Sequence, residues 1–114
     1  MKRSRVEFLQ GTLDMLVLRT LALGPLHGYG IAQAIRQSTD SAIQVEAGSL
    51  YPSLQRLELQ SLVTAKWDVS ERNQRTRIYS LTTAGRDRLH SEVSRWESFV
   101  QAVSMVLHPK PVKE

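Results

Sequence analysis

The spacing of apolar residues along the chain predicts four helices and one pair of strands. Most of the chain repeats its apolar positions every three to four residues, as an amphipathic helix does, and two stretches on either side of residue 70 alternate as strands do. The predicted elements are helices at about 12–23, 28–37, 49–60 and 84–107, strands at 63–69 and 75–81, and a possible short strand at 43–45. The predicted fold class is therefore mainly α with a small β-hairpin.

The helix predicted at 49–60 has an apolar face and a polar face. Leu50, Leu54 and Leu57 recur at the spacing of a buried stripe. The opposite side is predicted to be exposed and carries Ser49, Pro52, Ser53, Arg56 and Gln60, with Tyr51 and Gln55 on the flank. Ser49 is placed to cap the helix, which would put Pro52 in its first turn. On these residues alone an ordinary amphipathic helix is the simpler interpretation, and a helix that enters the DNA major groove is the alternative.

The last predicted helix carries a regular apolar seam. The seam residues, separated by 4, 3, 4, 3 and 4 positions, are Leu89, Val93, Trp96, Val100, Val103 and Leu107. This is the spacing of helices that pack at coiled-coil angles. Because so small a domain has little surface of its own to cover such a helix, we predict a homodimer with this seam at the interface. The first helix, which is apolar over most of its circumference, is expected to contribute to that interface.

Positive charge is concentrated in two places, within a formal net charge of +4. One basic group is Lys2, Arg3 and Arg5, and the other, in and around the hairpin, is Lys66, Arg72, Arg75 and Arg77. Strand alternation puts Arg75 and Arg77 on one face, where they would contact DNA phosphates without sequence preference. A solvated surface with no partner explains these clusters about as well. Trp67, in the first strand, is predicted to be a packing residue before a stacking platform.

The start of the second helix has two interpretations. Gly28 and Gly30 have no side chains, so either a phosphate approaches the free N–H groups there or another helix packs closely. His27, just before them, is predicted to cap the helix or to contact the core.

Composition excludes several functional classes. A chain of 114 residues with 41% hydrophobic and 23% charged residues fits one globular domain. Cysteine is absent, which excludes disulfides and thiolate metal sites, and His27, His90 and His108 lie too far apart for a metal-binding motif. We therefore predict no metal, no cofactor and no enzymatic activity. No apolar run reaches membrane-spanning length, so a cytoplasmic location without membrane association is expected.

Three motifs resemble those of the PadR family of bacterial transcription regulators. They are LGPLHGYGIAQAI at 23–35, GSLYPSLQRLE at 48–58 and RTRIYSLTTAGRDRL at 75–89. In this order, over about residues 13–107, they are far more specific than a general helix-turn-helix pattern. The resemblance implies a homodimeric winged helix-turn-helix repressor of the short type, with a single C-terminal helix. Where the family usually has Gly to end the third helix, this chain has Ser61.

The resemblance and the residue pattern together predict an interface for double-stranded DNA. The predicted DNA-binding residues are Ser49, Tyr51, Ser53, Gln55, Arg56, Lys66, Arg72, Arg75 and Arg77, and the SLYP motif of the family strengthens the case for Tyr51. Residues 1–82 are predicted to form the winged unit, 83–108 the dimerisation helix packed in the same compact unit, and 109–114 a tail. Two recognition helices about 34–36 Å apart would match a palindromic operator. The alternative is a dimeric protein-interaction module without sequence-specific DNA binding.

Trp96 carries a separate hypothesis. By spacing alone, it is a large core residue of the seam. The resemblance adds that, in some multidrug-responsive members of the family, tryptophans of the two C-terminal helices stack on flat aromatic ligands. It therefore implies a small aromatic effector bound beside Trp96.

Overall fold

The computed structural model describes residues 10–69 and 72–112. Its elements in chain order are α1 (Gln10–Leu21), β1 (Leu26–His27), α2 (Gly28–Ser38), α3 (Ala47–Leu59), β2 (Val63–Val69), β3 (Arg75–Leu81) and α4 (Thr83–Leu107). The predicted fold class is confirmed: helices dominate, and a small antiparallel sheet supplies the wing. The N-terminal basic group, Lys2, Arg3 and Arg5, lies outside the described residues, as do residues 70–71 of the predicted hairpin connection.

The sheet has three strands in the order β1-β3-β2, all antiparallel. The hairpin strands β2 and β3 have the bounds that residue alternation predicts, with Val63 opposite Leu81 and Val69 opposite Arg75. The strand β1 was not predicted, because two residues are too few to show a period. The short strand predicted at 43–45 is wrong. That segment is a loop whose Ile43 N–H donates to the Thr39 hydroxyl at 3.0 Å instead of to a neighbouring strand.

The core is built around α1, which packs against α2, α3, α4 and β3. Val17 and Leu18 of α1 have almost no exposed surface. The predicted stripe of α3 meets them there, because Leu50, Leu54 and Leu57 are each at most 2% exposed. A helix that is apolar nearly all round is therefore covered from several sides by its own chain.

The ends of α2 and α4 are capped by the side chains that precede them. His27 Nδ1 accepts the N–H of Gly30 at 2.9 Å, and Thr82 Oγ1 accepts the N–H of Gly85 at 2.9 Å. Each bond satisfies a backbone donor that the helix itself leaves unpaired. The prediction that His27 is a cap is confirmed.

The start of α3 differs from the prediction. The N-cap is Glu46, without a side-chain cap bond, and the N–H groups of Ser49 and Leu50 already donate to the Glu46 carbonyl at 2.9 Å. Ser49 therefore lies inside the helix and not at its cap, and Pro52 lies beyond the first turn. Proline has no N–H to give the carbonyl of Gly48 four residues earlier, and this is tolerable because Gly48 is exposed to water.

The end of α3 has the hydrogen bonds of a Schellman motif. Ser61 adopts a left-handed backbone with φ of 62°. The N–H of Leu62 donates to the carbonyl of Leu57 at 2.9 Å, and that of Ser61 to the carbonyl of Glu58 at 3.0 Å. Ser61 thus takes the conformation for which glycine is the easier residue.

The seam of α4 divides into a covered part and an open part. Leu89 is 8% exposed and belongs to the core of its own chain, and Val93 packs partly against that core. The prediction that Leu89 contributes surface to a dimer interface is therefore wrong. From Trp96 onward the seam is open, with Trp96, Val100, Val103 and Leu107 between 37% and 66% exposed.

Candidate nucleic-acid interface

The outer face of α3 presents three of the predicted DNA-binding residues. Ser49, Tyr51 and Gln55 are exposed, and Tyr51 retains 47% of its surface. The remaining exposed residues of α3 and of its C-terminal end are Ala47, Gly48, Pro52, Leu59 and Gln60. This surface combines small side chains, which permit close approach, with an amide and a phenol that form directional hydrogen bonds.

Ser53 was predicted to lie on this exposed face, and the prediction is wrong. Its side chain is fully buried, and its hydroxyl donates to Asp14 Oδ1 at 2.5 Å. The physical reason is that α1 packs along that side of α3 and brings a carboxylate to it. An acidic residue in a helix that is otherwise mostly apolar was the one sequence signal for this contact.

Arg56 is anchored by the same carboxylate. Its Nη2 lies 2.8 Å from Asp14 Oδ1 and its Nε lies 3.4 Å from Oδ2, and only 29% of its side chain is exposed. A guanidinium paired in this way is held in position, and the carboxylate partly compensates its positive charge. Arg56 therefore fixes α3 against α1, a role that the sequence did not indicate.

Gly28 leaves the space that the Tyr51 side chain occupies. A Cβ atom at Gly28 would overlap the Tyr51 hydroxyl, so the start of α2 needs glycine for the phenol to lie there. Of the two interpretations of this glycine, close packing is the one with an observed partner, although that partner is a side chain and not a helix backbone.

The four predicted cations of the wing do not share one face. Arg75 and Arg77 do, as predicted, together with Trp67 and Tyr79. Lys66 lies opposite Ile78 and points to the other face. Arg72 lies in the turn before β3 and is exposed.

Trp67 is not the packing residue that was predicted. It keeps 59% of its surface exposed, and two guanidinium groups lie over its ring. The guanidinium carbon is 4.5 Å from the ring centre for Arg75 and 5.6 Å for Arg77, within the range of cation–π attraction. Trp67 is out of the core because it lies towards the outer end of the hairpin, past the last residues that the helices cover.

An ion pair joins the wing to α3. Arg77 Nη2 lies 2.9 Å from Glu58 Oε2, and both side chains are 36% exposed. Among the described residues, Arg77 Nε is buried without a hydrogen-bond partner, and the Tyr79 ring lies 5.7 Å from the guanidinium carbon. Burial raises the pKa of the Tyr79 phenol above its ordinary value of 10.0, and the positive charge of Arg77 partly opposes this increase. The sequence did not indicate Glu58 as part of the interface, because its partner is 19 residues away along the chain.

Two other kinds of feature are absent from residues 10–69 and 72–112. In this part of the chain no three His, Asp or Glu side chains come together as a group that could hold a metal ion. Of its helices, none has the length and apolar character needed to cross a membrane.

The chain matches a known family over more than half of its length. A family model for PadR-like transcriptional regulators matches residues 17–91. Protein X of Lysinibacillus sphaericus is 29% identical over 104 residues, which are 90% of this chain and 94% of that protein. A 37.1 kDa protein of transposon TN4556 from Streptomyces fradiae is 47% identical over 79 residues, which are 69% of this chain. The match covers 21% of that larger protein.

Solved structures have the same arrangement of helices and wing. A PadR family transcriptional regulator from Eggerthella lenta is 32% identical, with a TM-score of 0.75 over 89% of this chain and 86% of that one. A transcriptional regulator from Clostridium thermocellum is 25% identical, with a TM-score of 0.78 over 89% of this chain and 96% of that one.

Proposed function

This chain belongs to the PadR family of transcriptional regulators, and on that premise we propose that it is a homodimeric repressor of a palindromic operator. The observation that supports DNA binding most strongly is the position of the wing beside α3. The exposed face of α3 and the cationic face of the hairpin are linked by the Glu58–Arg77 ion pair. A helix in the major groove with cations on the adjacent backbone needs this juxtaposition.

We divide the predicted DNA-binding residues into three groups by their contacts and exposure. Ser49, Tyr51 and Gln55 contact base edges or adjacent phosphates, and a glutamine amide in this position suits adenine. The phosphate contacts come from Lys66, Arg72, Arg75 and Arg77. Ser53 and Arg56 hold α3 in position through Asp14 and make no proposed base contact.

The proposed dimer uses the open part of α4. Phe99, Val100, Val103 and Val106 leave 37% to 79% of their surfaces exposed, which is unusual for a continuous apolar face of a monomer. A second copy of the same helix would cover it symmetrically and place two recognition helices for a palindrome. In this proposal residues 1–82 form the DNA-binding unit and 83–108 the dimerisation helix.

The first experiment is to measure binding of the purified protein to the DNA upstream of its own coding sequence, beside a scrambled duplex. Titrations at several salt concentrations are expected to show preference for the natural sequence and a linear fall of log K with log salt. Equal, weak binding to both duplexes would contradict the proposal and favour the protein-interaction module.

Two variants separate the proposed roles. Gln55→Ala should lower binding to the preferred sequence more than to the scrambled one, whereas Arg75→Ala should weaken both and reduce the salt slope by about one unit. Lys110→Ala is the matched control for Arg75→Ala, since it removes one positive charge beyond the far end of α4. Identical effects of Gln55→Ala on all duplexes would contradict its role in sequence preference.

We further propose a small aromatic effector at Trp96. Trp96 is 42% exposed and lines two grooves, one towards Gly11 and Met15 of α1 and one towards Val100 and Met105. Planar cationic and phenolic compounds should change Trp96 fluorescence in a Trp67→Phe background. Unchanged emission over such a panel would leave Trp96 as a packing residue only.

A further inference from the structure

Trp67, in the wing, is exposed to solvent and yet contacts two arginine side chains. Trp67 lies directly opposite Arg77 in the hairpin, and Arg75 is two residues away on the same face. Both guanidinium groups lie over the indole, at 4.5 Å for Arg75 and 5.6 Å for Arg77, while 59% of the residue is still exposed. One ring therefore organises two cations at the surface.

Trp67 connects these cations to α3. Arg77 is paired with Glu58 of α3 at 2.9 Å, and its guanidinium carbon lies 5.6 Å from the centre of the Trp67 ring and 5.7 Å from that of Tyr79. Trp67 also contacts Arg75. The indole therefore links Arg75 to Arg77, which is held in position by Glu58 of α3. The two guanidinium groups are thus arranged relative to α3 before any partner binds.

Arginine side chains that are already ordered in the free protein lose less entropy when they bind DNA. A long arginine side chain loses rotamer freedom when it binds a phosphate, and this loss opposes association. A guanidinium that already lies on an aromatic ring has lost part of that freedom in the free protein. We propose that Trp67 is a positioning residue of the DNA interface, which holds Arg75 and Arg77 on the α3 side of the wing for simultaneous contact with backbone phosphates. This inference rests on the proposed DNA binding.

The test compares the dissociation constants of the unaltered protein, Trp67→Leu and Trp67→Phe for the preferred and scrambled duplexes. Trp67→Leu should weaken both by about tenfold, because two arginine side chains that are no longer ordered in the free protein must lose their rotamer freedom on binding, while Trp67→Phe stays within about twofold. Val69→Ala is the matched control, because Val69 lies on the same face of β2 and is 57% exposed. It should bind as the unaltered protein does.

Salt dependence distinguishes positioning from loss of the contacts. Because both arginines keep their charge in Trp67→Leu, the salt slope should stay unchanged although the affinity falls, whereas Arg75→Ala lowers the slope. A slope that fell as it does for Arg75→Ala would overturn the positioning role, and so would unchanged affinity. Loss of the fold in Trp67→Leu, followed by circular dichroism, would assign the residue to structure and also overturn it.

A second measurement uses intact Trp67. The chain has two tryptophans, so Trp96→Phe leaves Trp67 as the sole indole. Saturating DNA should protect its fluorescence from acrylamide, and unaltered quenching would overturn the proposal. If the unaltered protein bound no duplex, the proposed function would fail together with this inference. If it bound and Trp67→Leu bound equally well, only the inference would fail.

Discussion

The two halves of α4 continue one apolar repeat in opposite surroundings. In the first half Gly85 is buried and Leu89 is 8% exposed, both against the chain's own core. In the second half Val100 is 44% and Val106 is 79% exposed. Among the described residues the difference is one of length, because α4 has 25 residues, about 37 Å at 1.5 Å per residue, whereas the described part of α1 beside it has 12 residues, about 18 Å. An apolar period shows that a helix has a face to bury, and the neighbours decide how much of that face they reach.

The first half is also fixed at its end by close geometry. A Cβ at Gly85 would overlap the carbonyl oxygen of Leu62, so the helix lies directly on the chain that follows α3. The Thr82 hydroxyl donates to the segment that follows α3, where the carbonyl oxygens of Ser61 and Leu62 lie 2.8 Å and 3.0 Å away. The second half presents side chains that the described part of its own chain leaves open. We call the part of α4 before Trp96 the docked half and the part from Trp96 onward the open half. The docked half is expected to determine the stability of the fold, and the open half is expected to determine association.

The largest expected effect is that of Gly85→Ala. The new methyl group meets a backbone carbonyl, which cannot rotate away, so the start of α4 must move and the free energy of unfolding should fall by about 3 kcal/mol or more. Urea unfolding followed by circular dichroism measures it. Gly11→Ala, in the first turn of α1 with no described residue within 4 Å of the added methyl, is the control and should change stability by less than about 0.5 kcal/mol. Equal stability of the two variants would contradict the close docking of α4.

Val103→Asp should weaken association through the open half of α4 without affecting the docked half. Burying an unpaired carboxylate in the proposed interface costs about 3 kcal/mol, and a symmetric dimer would bury two of them, so the dimer dissociation constant should rise by at least about 100-fold. Sedimentation velocity gives the association state, and circular dichroism checks that the helices remain. Ser98→Asp adds the same charge on the polar side of α4 and should leave association unchanged. A Val103→Asp protein that associates normally would show that this face is not the interface.

Thr82→Ala should lower the free energy of unfolding, by less than Gly85→Ala does, because it weakens the contacts of the docked half. It removes the hydroxyl that accepts the Gly85 N–H and donates to the end of α3, with an expected loss of about 1–2 kcal/mol. Thr83→Ala, at the first residue of the helix, keeps the cap and should change stability by less than about 0.5 kcal/mol. Similar losses in both variants would mean that the cap bond contributes little.

Ser61→Gly should have the smallest effect and the opposite sign. The left-handed backbone at φ of 62° costs serine more than glycine, so stability should rise by about 0.5–1 kcal/mol in thermal unfolding. Ser61→Ala keeps the β-carbon and should bring no gain. A loss of stability in Ser61→Gly would show that the serine hydroxyl has a role that the backbone geometry does not indicate.

The sequence predicted the elements better than their ends. Alternation placed both hairpin strands to the residue, because a strand half covered by a core repeats every two positions. The α3 start was predicted two residues late, because Ser49 is a typical cap residue and the actual cap, Glu46, makes no side-chain cap bond. β1 was missed because two residues show no period, and Leu26 is a strand only where it pairs with Tyr79.

The chemistry of the candidate site was determined by sequence only in part. The exposed positions of Ser49, Tyr51 and Gln55 and the shared face of Arg75 and Arg77 follow from local periodicity, which is a property of each element alone. The other predictions for the site depended on what packs against each face.

What only the tertiary structure decided is which polar groups are already paired. Ser53 and Arg56 have the spacing of an outer face, yet Asp14 reaches them from a helix about forty positions earlier. Glu58 and Trp67 also hold Arg77 through contacts between separate elements, but Glu58 binds one nitrogen of that guanidinium, Nη2, whereas Asp14 binds both Nη2 and Nε of Arg56. A helical period gives the directions of side chains but not the identity of neighbouring helices, since those are set by how the whole core packs. The sequence by itself therefore determined the winged fold and its apolar faces, and tertiary packing determined which cations and hydroxyls remain available to a partner.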